Sequence, residues 1–435
     1  MNSSHFLASS QQDCKNLIVS LQFQEKRYYF NDFHQNETYH VGPWPYPVDF
    51  GMCCLIMPHA LEFALPIYDK SESVAKSGKL NGLDIVLDAE QFNYAYQQEQ
   101  GQGFNIALHN FSDQPMFQLS SEFINVGTNT QINIKPTVTY TASVALARFS
   151  PEDRNCYKRG EQKLNHLPLE YGYGYEMNNC LIDKAIHEVI GNCSCYPLFA
   201  SGAAYRDTYK KYTSYCTGKG LYCENQIKKS LGLGKSMDHK YFNSTSGFES
   251  FGNHSFIAKI KCLPSCLVQD MTTEKSFTNY PQRNHFIRTK EFCEVASHIW
   301  QISCINGSDR KYFLDKMYPN LCSVLSEYEK FLGKNSSCKF WPNKFLKLHG
   351  KPTNLMKEMH RYGKENLAMV NIFIQNPHVT TIKRDLAMTW TSYVANTGGL
   401  LGLCLGFSGI SAIEIFLWVC CCCRFALKNF KNSHF

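Results

Sequence analysis

From Gly398 to Cys423 the chain is almost wholly apolar and carries one acid, Glu414. A helix needs ~20 such residues to cross a bilayer, so the run is long enough to span. An ordinary anchor needs only bulk apolar side chains, and here Gly398, Gly402 and Gly406 recur every four residues. In a helix they fall on one face and let another backbone approach. Ser408 and Ser411 add hydroxyls near that face. Glu414 would cost about 2.5–3.5 kcal/mol in lipid unless it faces protein or water. Two readings follow from this segment alone: an anchor that dimerises through its glycines, or the wall of a lined pathway.

The 435 residues suffice for about two or three conventional domains, or for one elaborate ectodomain with insertions. Twenty cysteines narrow the class. Cys420 to Cys423 sit at the inner end of the span, Cys404 lies within it, and the rest precede it. That division suits a disulfide-stapled ectodomain in an oxidising compartment. Sequons at Asn36, Asn110, Asn243, Asn253, Asn306 and Asn335 all lie upstream of the span. Downstream, Arg424, Lys428 and Lys431 occur with no acid, which puts the C-terminus in the cytoplasm and the ectodomain outside the plasma membrane. The formal net charge of +7 is spread without a basic run, so nucleic-acid binding is not expected.

Export of such an ectodomain requires a targeting segment. Met1 to Gln24 offers only the short apolar run Leu17-Ile-Val-Ser-Leu21, with no basic region before it and no small-residue cleavage site after it. The expectation is a fragment or start-site variant that lacks an N-terminal membrane segment.

Ahead of Cys156, three runs rich in β-branched and apolar residues read as strands: Leu83–Leu87, Phe104–Leu108 and Gln131–Ile134. Leu181, Ile182, Ala185, Ile186, Val189 and Ile190 have helical spacing, predicting a helix between Cys180 and Cys195 that stops at Gly191-Asn192. From about Tyr280 to Tyr362 the chain reads as a helical insertion, whose Cys293, Cys304, Cys322 and Cys338 permit two internal bridges. Val370–Ile374 and Val379–Lys383 then return as strands before the span.

These residues resemble the epithelial sodium channel/degenerin family, which includes acid-sensing channels and arthropod pickpocket-like members. The strongest element is Gly-Gly-x-x-Gly-Leu-x-x-Gly-x-Ser-x-x-Ser-x-x-Glu from Gly398 to Glu414. Gly51-Met-Cys-Cys54, Ser150 to Cys156, Asn179-Cys-Leu181, Cys193-Ser-Cys-Tyr-Pro197, Cys262-Leu-Pro-Ser-Cys266 and Glu274-Lys-Ser276 add to it. The resemblance implies an α+β fold in which palm, β-ball, finger, thumb and knuckle parts form a disulfide-rich ectodomain. It implies a homo- or heterotrimer of related subunits, each with two membrane helices. The first of these, its preceding His-Gly motif and the early palm strand find no match here.

On that resemblance the parts run as residues 1–155, a partial palm, finger and β-ball region; 156–280, a laddered thumb; and 281–366, a knuckle-like insertion. Residues 367–391 are returning palm strands, 392–423 the pore-lining helix and 424–435 the cytoplasmic tail. Gly406, Phe407 and Ser408 become the selectivity filter, with Phe407 facing away from the pore. Ala395 becomes the position where bulk holds the pore open. Gly398, Gly399, Gly402 and Ser411 line the path, and Glu414, about 12 Å beyond Gly406 along one helix, either draws cations at the inner end or packs against another helix. A hard cation wants oxygen ligands, and Gly with Ser supplies carbonyls and hydroxyls without bulk. The resemblance further implies the pairs Cys156–Cys266, Cys180–Cys262, Cys193–Cys223 and Cys195–Cys216. A fifth family rung falls on Lys184 and Ile260, so both partners of one bridge are absent together.

Other motifs carry less. Gly234-Lys235-Ser236 lacks the glycine of a phosphate loop, Lys229 standing there, and His187-Glu188 lacks the second His of a zinc-protease helix because Gly191 stands at i+4. No metal site and no cofactor are expected, sodium being what would permeate. Cys420–Cys423 suit reversible palmitoylation or are plain membrane-edge thiols, and Tyr171 to Tyr175 form either a packed turn or an aromatic ligand surface. The expected function is a sodium-selective, voltage-insensitive, stimulus-gated channel subunit with an extracellular ligand among its possible stimuli, and no enzyme. The alternative is a single-pass, disulfide-rich receptor or adhesion ectodomain. A membrane-tethered hydrolase lacks a nucleophile and base.

Overall fold

The computed structural model describes residues 12–23, 26–29, 44–48, 51–56, 77–93, 101–110, 113–158, 160–167, 174–197, 199, 215–230, 262–282, 290–305, 308–332, 352–376, 378–406 and 408–432. The chain is α+β, and it divides into a unit of residues 1–140 with 155–382 and a unit of residues 141–154 with 383–435.

Eleven strands occur among the described residues: β1 (Ile18–Phe23), β2 (Lys26–Tyr29), β3 (Trp44–Val48), β4 (Gly51–Leu55), β5 (Leu83–Asp88), β6 (Gly103–Ala107), β7 (Ser121–Asn125), β8 (Thr128–Thr141), β9 (Leu267–Asn279), β10 (Leu367–Ile374) and β11 (Thr380–Arg384). Seven form one sheet in the order β11-β8-β10-β5-β1-β2, with β9 also pairing with β8. β5 sits between two antiparallel neighbours, Ile85 facing Leu21 on β1 and Val370 on β10. β10 runs parallel to β8, Ile372 opposite Ile132. The pairs β3–β4 and β6–β7 are separate hairpins.

Side chains alternate between the faces of a strand, and here the alternation sorts two cores. Ile18, Leu21, Leu83, Ile85, Leu87, Ala368, Val370 and Ile372 cluster with Phe104 and Ile124 of the β6–β7 hairpin. Val19, Val86 and Leu367, from the intervening positions, join a second cluster built by helices α3 (Lys290–Ile299), α4 (Ser308–Met317), α5 (Leu321–Leu332) and α6 (Pro352–Asn366). Both faces of β5 are therefore covered, which is why its sequence reads as a near-continuous apolar run. Two further helices, α1 (Met177–Cys193) and α2 (Lys219–Ser230), come from the Cys-rich stretch.

Three expectations change. The helical stretch read as an insertion shares its core with the sheet, so it is a layer of this unit. Leu17–Leu21, weighed in the sequence only as a leader, supplies most of β1, whose first four residues are buried. Helix α1 runs past Gly191-Asn192 and ends at Cys193, where Ser194 adopts a left-handed φ of 54°. Its last residue, Cys193, is bonded to Cys223 on α2. In addition β9, within the span assigned to the ladder, pairs along β8 from Thr128–Asn279 to Tyr140–Leu267.

At the sheet–helix junction lies a buried polar centre. Asp88, 1% exposed at the end of β5, accepts from Tyr362 Oη at 2.8 and 3.0 Å and from the Glu90 N–H at 3.0 Å. His298 Nε2 stands 3.9 Å from its carboxylate, and Arg310 reaches Glu90 at 3.4 Å. Burial, then the Glu90 charge, pushes Asp88 up to about 8. Burial pushes Glu90 up to about 7 against the opposing pull of Arg310.

Candidate functional site

The ladder is built on α1. Cys180 in its second turn bonds Cys262, and Cys193 at its end bonds Cys223 on α2. Cys195 joins Cys216, and Cys156 joins Cys266 at the start of β9. These are the four pairs that the resemblance implied. Lys184 stands one turn beyond Cys180, and Ile260 lies outside the described residues. Two bonds were not foreseen as pairs: Cys14–Cys54, tying the lead into β1 to β4, and Cys304–Cys322, within the helical layer. Cys293 is also disulfide-bonded, and Cys338 lies outside the described residues. Glu176, immediately before α1, is pushed up to about 7 by burial and then by Asp113 and Asp270.

The apolar span is two helices. α7 (Trp390–Leu405) and α8 (Gly409–Asn432) meet at a bend of 87°, and among the described residues no single helix is long and apolar enough to cross a membrane. The bent pair passes that test together by length and composition. The expected continuous helix over 392–423 is thus corrected, and local chemistry explains the break. Gly406 ends α7 with φ 61°, a left-handed conformation that glycine adopts without steric cost, and its N–H donates back to the Leu401 carbonyl.

Ser408 then starts α8. Its Oγ accepts from the Ser411 N–H at 3.3 Å while its own N–H donates to Ser411 Oγ at 3.4 Å, a reciprocal box with serine in the position that Glu or Gln usually fills. The two hydroxyls also pair at 3.2 Å. α7 begins in a related way: Thr389 accepts from the Ser392 N–H at 3.1 Å, and their hydroxyls pair at 2.9 Å. Each half of the span therefore carries its own N-cap.

This geometry redistributes the expected roles. Gly398, Gly399 and Gly402 lie on α7, and Gly406 is its terminus. A Cβ added at Gly398, Gly399, Gly406 or Gly409 would meet no atom within 4 Å among the described residues. Ala395 is exposed on α7. Glu414 is exposed on α8, about 7.5 Å along that axis from Gly409 rather than in line with Gly406. Phe407 lies outside the described residues. The last four carbonyls of α7 have no partner within the helix and form the negative end of its dipole, so oxygen acceptors gather at the break. Beside the start of α7, Arg148, Met388, Thr389, Trp390 and Tyr393 line a shallow recess, with Trp390 and Tyr393 stacked at 5.6 Å between ring centroids.

Of the sequons, Asn110 is described: its Nδ2 donates to the Gln269 carbonyl at 3.0 Å. Asn36, Asn243, Asn253, Asn306 and Asn335 lie outside the described residues, as does the Gly234–Ser236 loop. The break itself was legible in principle. A glycine two residues before a Ser-x-x-Ser is a stop followed by a start, but the glycine spacing was read first as a packing face.

The family described as amiloride-sensitive sodium channel matches residues 1–418. Sodium channel protein Nach of Drosophila virilis is 24% identical over 152 residues, 34% of this chain and 36% of that protein. Its namesake in Drosophila ananassae is 26% identical over 149 residues, 34% of this chain and 27% of that protein. The chain thus aligns with about a third of the length of these curated relatives. The match over residues 1–418 covers nearly the whole sequence, and the chain belongs to the amiloride-sensitive sodium channel family.

Proposed function

We propose that the chain is a subunit of a sodium-preferring cation channel in the plasma membrane, with the cysteine-rich unit outside and the C-terminus in the cytoplasm. The observation that carries this is the capped break at Gly406–Ser408 within an otherwise apolar span. Irregular backbone at membrane depth is tolerated where it is buried in protein or lines a water-filled cavity, and helix C-terminal carbonyls at such breaks suit Na⁺. A simple anchor has no use for an interrupted helix. The open glycine positions on α7 leave room for neighbouring subunits, in keeping with a homo- or heterotrimer around a common path.

In this reading Gly406 to Ser408 form the filter. The Gly406 conformation turns the chain so that carbonyls at the end of α7 meet the ion. Ser408 holds the start of α8 through its hydroxyl and fixes the width of the turn. Gly398, Gly399, Gly402 and Ser411 keep the path lined by small groups, Ala395 sits at the gate, and Glu414 draws cations at the inner end. Gating follows an extracellular stimulus and not voltage, since neither half of the span carries a row of basic residues.

The test is an inward current at the surface of cells expressing the chain with related subunits. Replacing external Na⁺ with a large organic cation is expected to abolish it, and Ala395→Val to raise its resting level. Surface expression without sodium current, under any stimulus and with Ala395→Val, would remove the channel reading.

A further inference from the structure

The recess beside the start of α7 sets a cation against an aromatic stack. Arg148, Met388, Thr389, Trp390 and Tyr393 line it, and its volume is about 220 Å³. Arg148 ends the short helix Ser143–Arg148, and the segment is tied to the chain ahead of α7 by the Ala142 N–H, which donates to the Arg384 carbonyl at 2.8 Å. The neighbouring cations are engaged. Arg154 Nη1 donates to the Phe149 carbonyl at 2.7 Å, and Lys383 pairs with Asp385 at 2.6 Å. The Arg148 guanidinium, in contrast, has no hydrogen-bond or ion-pair partner among the described residues. Trp390 and Tyr393 stack with planes inclined by 21° and are 68% and 51% exposed, so the stack keeps open ring faces.

We propose that this recess binds the phosphocholine headgroup of a membrane lipid, with the phosphate on Arg148 and the quaternary ammonium on the ring faces of Trp390 and Tyr393. A guanidinium matches phosphate through a fork of N–H donors, and a quaternary ammonium is attracted to the faces of Trp and Tyr. The two halves of the recess thus complement a zwitterion. A simple cation would be repelled by Arg148, and free phosphate would leave the rings unused. The recess is smaller than the ~300–1,000 Å³ sites that enclose drug-sized ligands, which suits a small headgroup held at a surface. Its position points to lipid as the source. α7 opens the apolar span, and Trp and Tyr concentrate where such a span leaves the bilayer. Val394, exposed beside Tyr393, continues the apolar surface toward the acyl chains. The proposal rests on the membrane reading given above, with this end of α7 at the outer leaflet.

The full chain, disulfides intact, is mixed in an uncharged maltoside detergent with glycerophosphocholine, which has no acyl chains to enter the micelle. Saturation-transfer NMR is read at the choline methyl protons, and transfer is expected from the parent chain. Arg148→Gln should weaken binding about tenfold or more, and Trp390→Leu about threefold or more. Both positions are exposed, so neither variant endangers the fold. Choline chloride and glycerol phosphate, each carrying half of the headgroup, should bind more weakly than the whole. Undiminished transfer in either variant, or glycerol phosphate binding as well as glycerophosphocholine, would overturn the proposal. Flotation of the parent chain with phosphatidylcholine vesicles tests the membrane reading separately. A chain that floats but shows no transfer overturns the headgroup site alone, and a chain that does not float overturns both.

Discussion

The sheet unit and the span unit solve the same problem, fixing one conformation, by opposite means. In the first, the chain supplies nearly every partner itself: two cores share one sheet, six disulfides occur among the described residues, and even the buried Asp88 is met by Tyr362 and the Glu90 N–H. In the second, apolar side chains face outward, with Leu403 89% and Trp418 72% exposed. Short-range caps at Thr389, Gly406 and Ser408 mark where α7 begins and ends and where α8 begins. A region that finds its partners within the chain has a conformation written in long-range contacts. A region whose apolar side chains face outward has it written in local chemistry.

The largest effects that sharpen this contrast lie in the ladder. On the chain-entropy account, with the other bridges intact, Cys156–Cys266 closes about 28 residues through Cys180–Cys262 and its removal costs about 3.6 kcal/mol, while Cys195–Cys216 closes about 9 through Cys193–Cys223 and its removal costs about 2.6 kcal/mol. Denaturant melts of the paired Cys→Ala variants are expected in that order. An equal or reversed order would mean that native-state contacts, not the unfolded chain, set the difference.

The buried acids come next, through pH. Because Asp88 and Glu90 titrate higher when folded than when unfolded, the folded state holds the extra protons between about pH 4 and pH 8. Stability is therefore greatest at the acid end of that window, falls as pH rises through it, and levels off once Asp88 is ionised in both states. Asp88→Asn should flatten the dependence, read from unfolding midpoints across the window. A profile that rises with pH would contradict the burial of these carboxylates.

Smaller effects belong to the span. Gly406→Ala forces a Cβ into a left-handed position at a cost of about 1–2 kcal/mol. It should straighten the bend and reduce sodium current, while a D-alanine introduced there should be tolerated. Ser408→Ala removes one cap, worth about 1 kcal/mol, and should loosen the start of α8 in hydrogen exchange without unfolding the sheet unit. If the ladder variants and the cap variants each disturb both units equally, the contrast between them fails.

The two units were also unequally legible. β5 and β10 stood out because apolar residues at successive positions leave few choices for a short run. Which of their side chains joined which core was not legible, since that depends on β1, a strand hidden in Leu17–Leu21 and recognisable only once paired. The helical layer looked separable because its periodicity is complete in itself, whereas its dependence on the sheet lies in single residues such as Val19 and Val86. The cysteine partners came through family resemblance, since spacing alone permits many pairings. The bend was missed because Gly398, Gly402 and Gly406 satisfy a packing pattern as well as a stop, and only Ser408 with Ser411 separates the two.

The central claim is that the Gly406–Ser408 break lines the ion path. Ser408→Cys, expressed with related subunits, places a thiol there, and a small cationic thiol reagent is applied during recording. The account predicts rapid, irreversible loss of most sodium current, with the parent channel, which retains Cys404 and Cys420–Cys423, unaffected. A robust current in Ser408→Cys that the reagent leaves unchanged would contradict it.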